Sequence, residues 1–491
     1  MGCCPSAKPK ELAINNSAPP TARSALDIKI HPGAFVKPHG IPFKQLYMLG
    51  NLIGKGSFGE VRRCTHRLSG LLRAAKIYRK LGSESEENQE GSMAQETEIL
   101  KLLDHPNIIR IYDFFEDDEN YYLVMEYCEG GELFKKISKL SRFSETQAAE
   151  IMRQLFSVVS FCHGLGIVHR DLKPENIMIE ERGKSFQLKI GDFGTAVKLK
   201  ENELMEGMVG TIFYMAPEVF TGKYSEKCDI WSCGVIMYIL LTGRPPFPGK
   251  TDDKIIERIK IGEYNTDLPI FQETSPEALD LIKKMLVPQA ERISASEALS
   301  HPWITSHISY ETVDIGTLDH ILENLKQFSN TLKLRDTIMS FIAAQIINNK
   351  DFKEIRQIFS VIDKDGDGKI GREDLIDHLQ RRMSYDKAAC QVEKIIKQVD
   401  ADMDGYIQYT EYLKASIDKN ILLSRTNLYL AFSIFDIDKN GMLSVDELMN
   451  WLASSDNLDI EIWKELLKEA DKNGDGQIDL SEFTEFLLDK F

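Results

Sequence analysis

One pattern recurs four times in the last third of the chain: an Asp-rich loop between amphipathic helical segments, with loop starts at 363, 400, 436 and 471. Spacings of 37, 36 and 35 residues mark a structural repeat, whose units bury their apolar faces against their neighbours. Over twelve residues each, the loops carry formal charges of −2, −4, −3 and −3, so −12 of the chain's −16 sits in them. The acidity is therefore largely ligand charge, and it argues against non-specific nucleic-acid binding.

The loop chemistry is specific. A calcium-binding EF-hand loop needs oxygen ligands at positions 1, 3, 5 and 12, a backbone carbonyl at 7, and Gly at 6 where the chain turns sharply round the ion. The second loop supplies Asp400, Asp402, Asp404, Gly405, the carbonyl of Tyr406, and Glu411. The third supplies Asp436, Asp438, Asn440, Gly441, the Met442 carbonyl and Glu447; the fourth supplies Asp471, Asn473, Asp475, Gly476, the Gln477 carbonyl and Glu482. The first has Asp363, Asp365, Asp367, Gly368 and the Lys369 carbonyl, but Asp374 stands at position 12. One methylene less makes bidentate coordination harder to reach, so weaker Ca²⁺ binding is expected at this site. A solvated turn explains one such loop, but not four in register with an apolar residue at position 8 each time (Ile370, Ile407, Leu443, Ile478). The hands are expected to pair 1 with 2 and 3 with 4, as two lobes.

Upstream, residues 47–304 change from strand-like runs such as Tyr121–Met125 to longer helical stretches, which predicts a small sheet-rich lobe before a larger helical one. Gly54, Gly56 and Gly59, followed by Val61, have the form G-x-G-x-x-G-x-V, whose backbone amides can close over nucleotide phosphates. A dinucleotide site shares the glycines but wants a βαβ unit with an acid about 20 residues on. Here the chain returns to a strand with Lys76 and then to a charged helix with Glu96, a phosphate-gripping lysine and the carboxylate that holds it. The decisive cluster is His169-Arg170-Asp171-Leu172-Lys173-Pro174-Glu175-Asn176, then Asp192-Phe193-Gly194 and Ala216-Pro217-Glu218. Phosphoryl transfer needs a carboxylate to orient the attacking hydroxyl and metal ligands to bridge the phosphates. Asp171 is the candidate base, with Lys173 beside it, and Asn176 and Asp192 are the candidate Mg²⁺ ligands.

Residues 47–304 resemble a eukaryotic protein kinase domain, and with 351–491 the chain resembles the calcium-dependent protein kinases, in which a calmodulin-like domain is fused to the kinase. The resemblance implies an α+β two-lobed kinase fold followed by an all-α domain of four EF-hands in two lobes, with ATP, Mg²⁺ and Ca²⁺ as cofactors. It places ATP between Ile53, Val61, Ala74 and Met178, with Met125 as gatekeeper, Glu126 and Cys128 at the hinge, and Glu132 near the ribose. It assigns Lys173 to the Ser/Thr form of the loop, and Asp229 and the Glu218/Arg292 pair to fold support. Glu132 and Glu175 lie where basophilic relatives read a basic residue three positions before the acceptor. Thr211 resembles the structural threonine of the substrate-binding loop. Glu201, Glu203 and Glu206 are expected to supply the negative charge that Arg170 calls for, without phosphorylation.

Between the two domains, in segment 305–350, Leu318, Ile321, Leu322 and Leu325 follow i, i+3, i+4, i+7 spacing with Lys326, Lys333 and Arg335 nearby. This is the basic amphipathic composition that calmodulin-like lobes grip, although an ordinary connecting helix has the same spacing. In the resembling family the segment is autoinhibitory at rest and is sequestered when Ca²⁺ loads the lobes. The arm, 1–46, lacks periodicity and opens Met1-Gly2-Cys3-Cys4-Pro5-Ser6, so Gly2 fits N-myristoylation, with Cys3 and Cys4 as palmitate acceptors. No apolar run approaches the ~18 residues of a membrane span, and eight scattered cysteines form neither a disulfide nor a zinc framework. A cytoplasmic monomer is expected, peripheral on the cytosolic face of a membrane, acting on protein substrates. A catalytically dead Ca²⁺-responsive scaffold, and an active kinase with a passive Ca²⁺ buffer, stay open as alternatives.

Overall fold

The run Tyr121–Met125 lies inside β5 (Asn120–Glu126), one of five antiparallel strands with β1 (Tyr47–Gly56), β2 (Gly59–His66), β3 (Leu72–Arg79) and β4 (Ile111–Glu116). The sheet order is β1-β2-β3-β5-β4. The computed structural model describes residues 36, 41–56, 59–80, 85–140, 142–182, 185–200, 203–307, 315–328, 333–347, 352–452 and 460–488. Gly2, Cys3, Cys4 and Glu201 lie outside them. The helix Ser85–Lys101 accompanies the sheet.

The larger lobe is built on two helices. Glu145–Gly164 starts at Ser144, whose side chain and that of Gln147 cap each other's backbone N–H groups, and it buries Ile151, Met152, Leu155, Phe156 and Val159. Such a cap stabilises a helix start by about 1 kcal/mol. Lys227–Thr242 is buried nearly all round and ends at Gly243, whose φ of 70° suits a left-handed C-terminal residue. Glu218 and Arg292 form the expected buried pair, at 2.5 and 3.1 Å.

The EF-hands pair as expected. Ile370 and Ile407 exchange backbone hydrogen bonds at 3.0 and 2.9 Å, and Met442–Leu443 pairs antiparallel with Ile478–Asp479. The junction forms helices Ile315–Gln327 and Lys333–Phe341. Ile321, Leu322, Leu325, Phe328, Ile338 and Phe341 belong to the same apolar core as Phe359, Tyr412, Phe435 and Trp451 of the hands, with Leu318 packed against it.

Hands 1 and 2 sit against the kinase. Thr410 donates its N–H and its hydroxyl to the Asp104 carboxylate at 2.7 and 2.9 Å, and Arg110 donates to Thr410 Oγ1 at 3.1 Å and to the Ala344 carbonyl at 3.3 Å. Arg73 donates to the Gln345 carbonyl at 2.9 Å. Asp104, Arg73 and Thr410 are all buried, so the contact is desolvated.

Candidate active site and metal centres

Three segments far apart in sequence meet at one lysine. Lys76, in the middle of β3, donates to Glu96 Oε1 and Oε2 at 2.9 and 3.1 Å and to Asp192 Oδ1 at 2.7 Å. Tyr78 donates its hydroxyl to the same Glu96 at 2.5 Å. Burial alone would lower the Lys76 ammonium, but Glu96, Tyr78 and Asp192 outweigh it and hold the group well above its ordinary value. Burial likewise pushes the Asp192 carboxyl up, and Lys76 more than reverses that, leaving it lowered and charged. Its side chain keeps 40% exposure, which leaves a carboxylate available to a hard cation beside Asn176.

Arg170 and Asp192 hold φ values of 67° and 59°. Such left-handed backbone at non-glycine residues costs of order 1–3 kcal/mol and persists where the surroundings over-determine it. Asp229 supplies that restraint at Arg170. Its buried carboxylate accepts the N–H groups of His169 and Arg170, both at 2.9 Å, and lies 3.0 Å from His163 Nε2. The His169 ring packs 4.7 Å from Phe193.

Around Asp171 the contacts close a small network. Thr211 donates its hydroxyl to Asp171 Oδ1 at 2.7 Å; Lys173 donates to Asp171 Oδ2 at 2.6 Å and to Thr211 Oγ1 at 2.9 Å. Asn176 donates to the Asp171 carbonyl at 3.0 Å. The glycine hairpin pairs Gly54 with Val61 and Gly56 with Gly59. Gly59 admits no side chain, since a Cβ would lie 2.0 Å from the Ile77 carbonyl oxygen. Ala74 is buried opposite Met125 across the β3–β5 pair, Val61 and Met178 are half-buried, and Ile53 is exposed. Burial pushes the Cys128 thiol up to about 12, which removes it as a nucleophile. Glu132 pairs with Lys135 at 2.8 Å and bridges Met178 through its backbone. Glu175 keeps a buried Oε2 with no hydrogen-bond partner.

Two expectations take a different form. The Glu126 side chain turns away from the nucleotide region to Lys189 at 2.8 Å and to Arg356 of the first EF-hand helix at 3.8 Å. Burial pushes its carboxyl up, but Lys189, Arg356 and Arg110 hold it at about 2. Only its backbone is left for a hinge role. Nor do Glu203 and Glu206, the two of these glutamates among the described residues, reach Arg170: Glu203 accepts the Lys200 N–H at 2.9 Å, Glu206 pairs with Lys223 at 3.5 Å, and Arg170 donates instead to the Thr195 carbonyl at 2.6 Å. Short local pairs satisfy these acids before a distant arginine can.

All four loops close the same way. The position-1 carboxylates of Asp363, Asp400, Asp436 and Asp471 accept the N–H of Gly368, Gly405, Gly441 and Gly476 at 2.9–3.0 Å. Glu411, Glu447 and Glu482 each accept backbone N–H groups from loop positions 2 and 9. Asp374 reaches the same two partners, Lys364 at 3.2 Å and Gly371 at 2.8 Å, despite its shorter stem. Oxygens of Asp363, Asp365 and Asp367, of Asp400, Asp402 and Glu411, and of Asp436, Asp438 and Glu447 gather within 4.8 Å. Burial pushes Glu411 up to about 8 and Asp374 up to about 6, as for acids gathered where a divalent cation is the natural counter-charge. The donor sets fit Ca²⁺.

Sequence reasoning missed Tyr78 on Glu96 and the Asp104–Thr410 and Glu126–Arg356 contacts. No motif carries them, because each joins single residues from separate segments.

A lysine clamp, an Asp-Lys-Thr network and four EF-hand loops define a protein kinase that carries its own calcium-binding domain. The protein kinase domain family matches residues 47–304, and the EF-hand domain pair family matches 352–417 and 425–488. The chain is 40% identical to calcium-dependent protein kinase 4 of Plasmodium falciparum (isolate 3D7) and to its namesake of Plasmodium berghei (strain Anka), over 98% of this chain and 93% of each relative. It is 39% identical to calcium-dependent protein kinase 3 of Plasmodium berghei over 89% of this chain and 79% of that one. The chain belongs to the calcium-dependent protein kinase family, and its domains use ATP, Mg²⁺ and Ca²⁺.

Proposed function

We propose that this kinase phosphorylates Ser and Thr in proteins that carry a basic residue ahead of the acceptor. The network joining Asp171, Lys173 and Thr211 carries this reading. The substrate hydroxyl oxygen attacks the ATP γ-phosphorus, its proton passes to Asp171, and the β–γ bridging bond breaks to release ADP. Lys173 and Thr211 hold the carboxylate in place, while Lys76, fixed by Glu96, grips the α and β phosphates. Asn176 and Asp192 would hold Mg²⁺, which when bound neutralises charge on the phosphates.

Glu175 and Glu132 are the basic-residue readers in this proposal. A buried carboxylate oxygen without a partner is costly until a donor arrives, and an arginine of the substrate is such a donor. Glu175→Gln is expected to lower kcat/KM for an Arg-containing peptide by about ten- to a hundredfold and to leave an Arg-to-Ala peptide unchanged. Equal losses on both peptides, in steady-state assays, would remove the assignment.

Calcium control is read through the junction. At rest it inhibits the kinase; with Ca²⁺ loaded, its apolar face lies in the EF-hand core, which is where Ile321, Leu322 and Leu325 are buried. Moving a population from 1:99 to 99:1 takes about 10⁴-fold differential affinity, ~5.5 kcal/mol. Four sites favouring the active state about tenfold each reach it.

The arm adds a membrane address in this reading. Myristate on Gly2 alone binds membranes weakly, and palmitate on Cys3 or Cys4 makes the anchor stable on the cytosolic face. Gly2→Ala should move the protein from the membrane to the soluble fraction of cells; unchanged fractionation contradicts the anchor.

A further inference from the structure

The four EF-hand loops differ in what lies outside them. At position 6, a Cβ on Gly405, Gly441 or Gly476 meets nothing within 4 Å. On Gly368 it would lie 2.2 Å from the His105 ring and 3.4 Å from Phe161, and on Gly366 it would lie 3.3 Å from Leu299. Loop 1 is therefore pressed into the kinase, against the segment that follows helix Ser85–Lys101, the helix Glu145–Gly164 and the end of helix Ala295–Leu299.

Its first ligand shows the consequence. Asp363 is 5% exposed, its Oδ2 accepts the Gly368 N–H at 3.0 Å, and its Oδ1 is buried with no hydrogen-bond partner. An orphaned buried carboxylate oxygen opposes docking unless a cation meets it. Asp363, Asp365 and Asp367 bring one oxygen each to within 4.8 Å of the others, a cage of hard ligands for that cation.

We propose that the kinase body is the outer wall of the first calcium site, so that docking of hands 1 and 2 and Ca²⁺ binding at site 1 are one linked step. By linkage, whatever factor docking adds to site-1 affinity, the ion adds to docking. The short Asp374 makes the site weak in a free lobe, and the wall makes it competent in the docked one. Site 1 thus reads the position of the sensor as well as the Ca²⁺ level. The inference rests on the switch reading above and specifies which site carries the coupling.

Native mass spectrometry of the full chain at one fixed free Ca²⁺ concentration counts the ions. Wild type is expected to hold four and Asp365→Asn three. Arg110→Ala removes contacts to Thr410 and Ala344 without touching loop 1, and it is expected to hold three. The double variant is also expected to hold three, because both changes lose the same ion. Three ions on wild type, four on Arg110→Ala, or two on the double variant overturns the proposal. Hydrogen exchange tests the reciprocal effect: with Ca²⁺ present, Asp365→Asn should raise exchange over residues 104–111 about tenfold or more, and Glu482→Gln at site 4 should not. Equal responses overturn it as well. Neither readout involves phosphoryl transfer, so failure here is separable from failure of the switch, which would show as equal activity with and without Ca²⁺.

Discussion

Asp171→Asn is expected to lower kcat by about 10²–10⁴-fold, the range for loss of a positioned proton acceptor, with the KM for ATP nearly unchanged. Asn keeps the shape of the side chain and can still meet Thr211 and Lys173, which now hold the carboxylate at 2.7 and 2.6 Å. What it loses is the capacity to take the proton of the attacking hydroxyl. The phosphate grip at Lys76 is formed by Glu96 and Asp192, not by Asp171, so nucleotide binding is insulated from the change. Steady-state kinetics with Ca²⁺ in excess check this. A variant with wild-type kcat would remove Asp171 from the chemistry, and one with raised KM but normal kcat would make it a binding residue.

The second large effect lies far from the catalytic residues. Lys414, on the helix leaving hand 2, donates to Asp336 of the junction at 2.5 Å with only 1% of its side chain exposed, and it lies 5.3 Å from the Phe328 ring. Breaking a buried pair by removing one partner costs roughly 3–5 kcal/mol, because the other charge is left stranded. That is about two to three and a half decades in the equilibrium that holds the junction in the sensor, against the about four decades the switch needs. Lys414→Met should therefore lose most Ca²⁺-stimulated activity while retaining ATP binding. Lys414→Met with Asp336→Leu should recover much of it, since the stranded charge is gone. Activity assays on both variants decide; a normal Ca²⁺ response in the single variant would mean that the pair is structural and does not report on the switch.

The candidate catalytic residues were legible as a set because phosphoryl-transfer chemistry imposes order and spacing. Lys76, Glu96, Asp171, Asn176 and Asp192 stand in a succession that identifies them before any contact is seen, and the twelve-residue loops identify their own ligands. The sheet-rich lobe and the pairing of hands followed from strand-like runs and from the apolar residue at position 8. The docking surface was not legible. Thr410 meets Asp104 across 306 residues and Arg356 meets Glu126 across 230, and one contact between distant residues leaves no period or motif in either segment. Glu203 and Glu206 misled for a related reason: formal charge in a segment does not say which way a side chain points, and Lys200 N–H and Lys223 lie closer to them than Arg170. Asp374 was legible as a departure, but the packing of its loop against the kinase, at Gly366 and Gly368, was not.

The central claim is that calcium at the EF-hands and phosphoryl transfer at Asp171 belong to one equilibrium. Phosphorylation of a basic peptide by the full chain, followed across free Ca²⁺ from chelator to saturation, tests it most directly. A near-silent enzyme in chelator that rises steeply over a narrow Ca²⁺ range is the predicted result. Equal activity with chelator and with saturating Ca²⁺ would contradict it, and would leave a kinase that merely carries a calcium buffer.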